Sequence, residues 1–292
     1  MKNQITIIFL LIITFISCNK KQEEKTMSLS ELRNEKVYKK IDSFPKKLDL
    51  VYRVDLSENN LKKIPEIIFK LTNLQELNVS QNNLEELNHL ENLKNLQILN
   101  IGMNSFKTFP KQICKLKKLK VLDIYWTNFK NFPITFFENN KIEELDMTSM
   151  YDFDFERNMS KIHLLKKLKR LNLGCNQIPN LTLKFPELIN LEELGFIRQD
   201  KINTKELLTK LSNCKKLKII HLSVNNIETL PKEIALLNNL EELNLYQNKI
   251  TELPKEILTM GKLKEITLID NKIDTNKIKI IETKMPKVKF IY

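Results

Sequence analysis

Apolar residues recur along this chain in one spacing. In LEELNLYQNKITELP (Leu240–Pro254) they stand at Leu240, Leu243, Leu245, Ile250 and Leu253, with Asn248 between them and Pro254 at the end. The template is LxxLxLxxNxLxxLP. Copies begin at Val51, Leu74, Leu96, Leu119, Ile142, Leu168, Leu191, Leu217, Leu240 and Leu263, spaced 22 to 26 residues apart. Pro65, Pro110, Pro133, Pro231 and Pro254 each stand nine residues before the next copy. Self-similarity at a fixed period marks an array of stacked units.

Each template position has a physical role. The last two leucines of LxxLxL alternate with polar residues, the period of a short strand with one buried face. One such strand cannot bury its leucines, so neighbours must stack in a parallel ladder at about 4.8 Å per strand. The Asn stands where the chain leaves the strand, and its amide can donate to and accept from turn backbone that would otherwise be buried unpaired. This predicts a structural ladder of Asn59, Asn82, Asn104, Asn176, Asn225, Asn248 and Asn271, with Thr127, Met150 and Gln199 in the same place elsewhere. The prolines suit an extended return outside the strand ladder.

Residues 28–50 read as an N-terminal cap of helix then loop, with Ser28 or Ser30 as N-cap. Ten repeats fill 51–287, with a helical turn expected at 276–283. Residues 288–292 read as a partial repeat that closes the array with a cap strand.

Over about residues 48–292 the chain resembles leucine-rich repeat proteins of the typical class, with repeats of roughly 23 residues. The resemblance implies an α/β repeat solenoid. This is a right-handed horseshoe with a parallel β-sheet on the concave face and irregular or 3-10 segments on the convex side. It also implies recognition of a partner, usually a protein, through the concave strands.

The polar position between the two strand leucines reads Asp55, Asn78, Asn100, Asp123, Asp146, Asn172, Gly195, His221, Asn244 and Thr267. Two residues on, Tyr125 and Tyr246 stand in a column otherwise of Ser, Gly, Thr and Ile. Met103, Tyr125, Trp126, Met150 and Tyr151 form a patch in repeats three to five, and Trp126 is the single tryptophan. Aromatics bury large areas at little entropic cost. The expected partner-binding residues are therefore Met103, Asp123, Tyr125, Trp126, Asp146, Met150, Tyr151, His221, Asn244 and Tyr246. Aromatic platforms also suit sugar rings, so a glycan or cell-wall ligand is the alternative to a protein. Repeats five and seven are lengthened; such insertions either project loops that carry function or mark decay that the neighbouring repeats tolerate. In repeat five Tyr151, Phe153 and Phe155 alternate with acids.

Composition narrows the picture. The formal charge is +12, or +11 without Lys2. Lysines pair in connecting segments (Lys62/Lys63, Lys117/Lys118, Lys166/Lys167, Lys215/Lys216) and not in one aromatic-interleaved stripe, so no nucleic-acid partner is expected. The three histidines fall in different repeats. Glu pairs such as Glu143/Glu144 recur at one template place as solvent-facing filler. No phosphate loop, zinc spacing or calcium loop is present. No catalytic residue, metal or cofactor is expected, and the chain is not expected to be an enzyme.

Residues 1–17 read as a signal peptide. Lys2 precedes the apolar run Ile5–Ile16, too short to span a bilayer. Phe15-Ile16-Ser17-Cys18 resembles a relaxed bacterial lipobox, which implies lipidation of Cys18 and a flexible tether over 18–27. The implied location is a bacterial membrane: outer membrane, cell surface or periplasmic leaflet. Cys114, Cys175 and Cys214 lie in different repeats and read as unpaired structural thiols.

Overall fold

The computed structural model describes residues 26–138, 141–176, 178, 187–199 and 202–292. The expected signal peptide, residues 1–17, and the expected lipidation site Cys18 lie outside the described residues. The chain divides into two units, Met1–Glu35 and Lys36–Tyr292. In the first, helix α1 (Leu29–Arg33) opens on a capping box. Ser28 Oγ accepts from Glu31 N at 3.2 Å, and Glu31 Oε2 accepts from Ser28 N at 2.7 Å.

The second unit carries one twelve-stranded parallel sheet whose spatial order is the sequence order. Strand β1 (Val37–Tyr38) precedes the repeats. The ten repeats supply β2 (Arg53–Asp55), β3 (Glu76–Asn78), β4 (Ile98–Asn100), β5 (Val121–Asp123), β6 (Glu144–Asp146), β7 (Arg170–Asn172), β8 (Glu193–Gly195), β9 (Ile219–His221), β10 (Glu242–Asn244) and β11 (Glu265–Thr267). Strand β12 (Lys289–Ile291) follows helix α5 (Thr275–Lys284) and pairs with β11. Between repeats the register is invariant, so Leu77, Leu99, Leu122, Leu145, Leu171 and Leu194 stand in one buried row. Each crossover returns to an adjacent parallel strand, the connection that is right-handed for L-amino acids.

The pairing runs past the three-residue strands. Trp126 N donates to Thr148 O at 2.9 Å and Val224 N to Tyr246 O at 2.9 Å, with equivalent bonds in most other repeats. These bonds hold one residue per repeat, just before the Asn position, at φ between +50° and +59°: Glu58, Gln81, Met103, Trp126, Ser149, Cys175, Arg198, Val224, Gln247 and Asp270. The left-handed region costs an L-residue roughly 1–2 kcal/mol, most for β-branched side chains. Replacing Val224 with Asn, which tolerates that conformation, is therefore expected to stabilise the fold by about 1 kcal/mol. A urea titration with an unchanged midpoint or a lower one would refute this.

The next residue is the ladder Asn. Asn248 Nδ2 donates to Leu222 O and Leu245 O, both at 2.9 Å, while its Oδ1 accepts from Asn225 N and Ile227 N at 3.0 and 3.1 Å. Asn82, Asn104, Asn176, Asn225 and Asn271 make the same kind of link, and Gln199 substitutes with Nε2 donating to Leu173 O. Asn59, in the first repeat, is exposed, and its side-chain amide donates to Ser57 O at 2.7 Å. The ladder breaks at two adjacent rungs. Thr127 Oγ1 donates to Ile124 O and contacts Met150 Sδ at 3.1 Å.

On the return side, Pro65, Pro110, Pro231 and Pro254 open 3-10 turns by accepting from the N–H three residues on. Their missing N–H would have been unpaired there in any case. Pro133 opens helix α2 (Ile134–Phe137) in the same way. The described extra residues of repeats five and seven do not form projecting loops. They form helices α3 (Phe155–Met159) and α4 (Thr204–Leu211), capped by Asp154 and Asn203. An α-helix rises about 1.5 Å per residue against about 2.0 Å for a 3-10 helix, so the longer repeats traverse a similar distance. Phe153 and Phe155 are buried, while Tyr151 is exposed. With Phe109, Phe129, Phe132 and Phe136 they form an aromatic core on the return side of repeats three to five. Phe132 and Phe136 stack at 4.1 Å.

Candidate functional site: the face of the sheet

In each of strands β2–β11 the central residue is buried in the core and its two neighbours face outward. The second outward position is the Asn/Asp column read from the sequence. Its side chains share a local device. Asp55, Asn78, Asn100, Asp123, Asp146, Asn172 and Asn244 each accept, through Oδ1, the backbone N–H two residues on, at 2.8–3.3 Å. This fixes the rotamer and leaves the second polar atom of each side chain facing its neighbours along the sheet.

Along part of the row that second atom makes a line. Asn100 Nδ2 donates to Asp123 Oδ2 at 3.0 Å, and Asn172 Nδ2 donates to Asp146 Oδ2 at 2.9 Å. The two carboxylates stand side by side on β5 and β6, bracketed by amides. Burial and the neighbouring Asp146 push the Asp123 carboxyl up from the ordinary 3.8 to about 7, partly opposed by the hydrogen bond from Tyr125 N.

The first outward position, absent from the sequence reading, adds Arg53, Glu76, Ile98, Val121, Glu144, Arg170, Glu193, Ile219, Glu242 and Glu265. Strict two-residue alternation was the signal for it. Here charges pair across strands. Arg53 is bidentate to Glu76 at 2.7 and 3.0 Å, Arg170 pairs with Glu144, and His221 Nε2 meets Glu193 Oε1 at 3.3 Å. Glu143 beside this column pairs with Lys169 at 2.7 Å, so these repeated glutamates are cross-strand partners as well as solvent-facing filler. Among the described residues, Asp123 and Asp146 form no ion pair. Over β2–β11 the two columns hold eight carboxylates against two arginines, a formal charge of 2 − 8 = −6. The chain as a whole carries +12, so the remainder carries 12 + 6 = +18.

A groove of about 430 Å³ runs across β5 to β9, with Asp123, Asp146, Arg170, Glu193 and His221 on its walls and Val121 and Ile197 among its apolar lining. Two glycines shape this region by close approach. A Cβ on Gly195 would lie 2.6 Å from Asn172 Oδ1, and one on Gly102 would lie 2.2 Å from the Tyr125 ring. The missing side chains let Asn172 keep its bond to Asp146 and let the Tyr125 ring lie over β4's turn.

Beyond the carboxylate row, Trp126 (51% exposed) and Tyr151 (59% exposed) meet edge to face at 5.9 Å. Met103 and Tyr246 are exposed nearby and farther along, and Asn244 accepts from Ser223 Oγ at 2.9 Å. Met150 does not share this surface. It is fully buried at the broken rung beside Thr127, because its place in the template is the inward-facing Asn position.

The family model for the leucine rich repeat matches residues 49–106 and 215–273. Over 74 residues, 24% of this chain, the sequence is 43% identical to a protein flightless-1 homolog of Caenorhabditis elegans, and the matched part is 6% of that protein's length. Two solved structures resemble the chain. One is a TLR13–ssRNA13 complex (21% identity, 83% of this chain and 47% of that one, TM-score 0.53). The other is the functional domain of InlJ from Listeria monocytogenes, which includes a cysteine ladder (18% identity, 80% and 51%, TM-score 0.50). The chain thus spans a small fraction of that curated relative and about half of each of these structures. The matched segments, 49–106 and 215–273, are leucine rich repeats, and the fold is a right-handed leucine-rich repeat solenoid with its parallel sheet on the concave side.

Proposed function

We propose that this chain is a non-enzymatic module that binds a protein partner through the outward face of the sheet, around repeats four and five. The observation that carries this is the exposed Trp126–Tyr151 pair beside the groove at Asp123 and Asp146. Large aromatics left in water next to a fixed polar row have the composition of a binding hot spot. A photoreactive residue at position 126 is expected to crosslink a protein on living cells, whereas one at the return-side Leu258 is not. Trp126→Ala is expected to weaken binding of the captured partner at least thirtyfold, the loss that about 2 kcal/mol gives at a hot spot, with thermal stability unchanged. Equal crosslinking from both positions would overturn the assignment. The same ring pair supports a second reading, a glycan ligand. Glycan-array binding lost in Trp126→Ala, with no protein crosslinked, would select it.

The module is further proposed to be exported and held on a bacterial membrane by acyl chains on Cys18. Support comes from the apolar run Ile5–Ile16, which stops at Ser17-Cys18, and from the polar stretch that follows. More than one acyl chain is needed for stable anchoring. Labelled palmitate should enter the native chain and not Cys18→Ser. No described helix is long and apolar enough to cross a membrane.

A further inference from the structure

We infer that the sheet face takes an extended cationic peptide segment, with a lysine or arginine side chain between Asp123 and Asp146 and a neighbouring apolar side chain on Trp126 and Tyr151. This rests on the protein-binding reading and names the chemistry of the partner's contact.

Three independent observations converge on this occupant. The first is charge complementarity. The two outward columns carry −6 on a chain of +12, so the face attracts cations while the remaining surface repels them. The second is the state of the two aspartates. Every other glutamate or arginine on the walls of the groove is already engaged: Glu144 with Arg170 and Glu193 with His221. Among the described residues, Asp123 and Asp146 receive neutral donors alone, the Asn100 and Asn172 amides and the backbone N–H two residues on. They confront each other across adjacent strands at the edge of the groove. A cation seated between them would relieve the like-charge contact, and no donor now present does so. The third is the aromatic pair. Trp126 stands three residues beyond Asp123, roughly 10 Å along an extended chain. A peptide offering a basic and an apolar side chain within that distance can meet both at once. Trp126 is held there at φ +51° by the bond from its N–H to Thr148 O.

Ligand binding is linked to protons. Asp123 stands beside Asn100 of β4 and Asp146 of β6, and the groove it borders also holds the Glu144–Arg170 and Glu193–His221 pairs. A cation needs the ionised pair. With Asp123 titrating near 7, affinity for a basic peptide falls about tenfold between pH 8 and pH 6.

The test is selection of a phage-displayed random hexapeptide library on the full chain. Expected are sequences enriched in Lys or Arg with an apolar residue within three positions. A synthetic copy of the enriched hexapeptide should lose at least tenfold in affinity toward Asp123→Asn/Asp146→Asn, toward Trp126→Ala, and at pH 6. The double variant is expected to fold, because Asn already fills this column at Asn78, Asn100, Asn172 and Asn244 with the same Oδ1 bond. Enrichment of acidic or purely apolar peptides, or basic peptides bound equally by both variants, would overturn the inference. So would salt-sensitive self-association abolished by the double variant, since the occupant would then be a second copy of the chain. If position 126 still crosslinks a protein, the protein-binding reading outlives that failure.

Discussion

Asn248→Ala is expected to destabilise the array by about 3–5 kcal/mol, because it strips the partner from three buried backbone groups. Asn225 N and Ile227 N lose their shared acceptor and Leu222 O loses its donor, while Leu245 O keeps the Asn271 amide. Each buried group left unpaired costs about 1–3 kcal/mol, and water relieves part of the sum. Asn271→Ala should cost about 1–2 kcal/mol, since its amide accepts from Ile250 N and its surroundings are half-exposed. Repeat arrays lose cooperativity locally, so the proper measurement is amide exchange as well as denaturation. In Asn248→Ala the amides of Asn225 and Ile227 should exchange at least a hundredfold faster, while those of repeats one and two keep their rates. Equal effects of Asn248→Ala and Asn271→Ala would show that the ladder bonds are not the source of stability.

The ladder was legible because the Asn recurs at one offset, and a repeated amide in an apolar frame has few roles except satisfying backbone. The left-handed residue before it was not legible. Asp270 apart, the residues there (Glu, Gln, Met, Trp, Ser, Cys, Arg and Val) do not favour positive φ, and no glycine marks the position. The neighbouring repeat imposes that conformation through its carbonyl, a contact about 23 residues away that local propensity cannot report. Met150 was misread for a related reason. Beside Trp126 and Tyr151 it looked like part of an exposed patch, but its register with Asn176 and Thr127 makes it a ladder rung turned inward.

The broken rungs also explain why the most irregular repeats still fold. Thr127 and Met150 replace two amides, and Asn158 from helix α3 supplies one elsewhere. Its Oδ1 accepts from Phe132 N at 3.0 Å, and its Nδ2 donates to Asp154 O at 2.6 Å. Nothing in the template marks Asn158, which lies inside the three-residue extension. Together with the phenylalanine core, it keeps the scaffold rigid beneath the exposed Trp126–Tyr151 pair. Of the candidate site, the Asn/Asp column and the two exposed rings were readable from residue types. The engagement of Glu144 and Glu193 by Arg170 and His221 depends on strand register, and among the described residues it leaves Asp123 and Asp146 as the groove carboxylates in no ion pair.

That isolation has a measurable consequence for stability. Asp123 is raised from 3.8 to about 7 in the folded chain. A raised carboxylate pKa means that the folded state binds the proton more tightly than the unfolded state. The native fold is therefore favoured, as far as this group is concerned, below about pH 4. It loses that advantage as pH rises from about 4 to 7 and stays flat above. A shift of about three units is worth about 4 kcal/mol as an upper bound. Asp123→Asn removes the charge yet keeps the acceptor for Tyr125 N, and Asn78 beside Asn100 shows that the column tolerates adjacent amides. The variant should therefore be more stable than the native chain by about 2–4 kcal/mol at pH 8 and nearly equal to it at pH 4. Urea titrations of both proteins across that range give the difference curve. A constant difference at all pH values would place the effect in packing and not in the charge. A native chain that gains stability between pH 4 and 7, relative to the variant, would show that a cation already sits against Asp123 in solution.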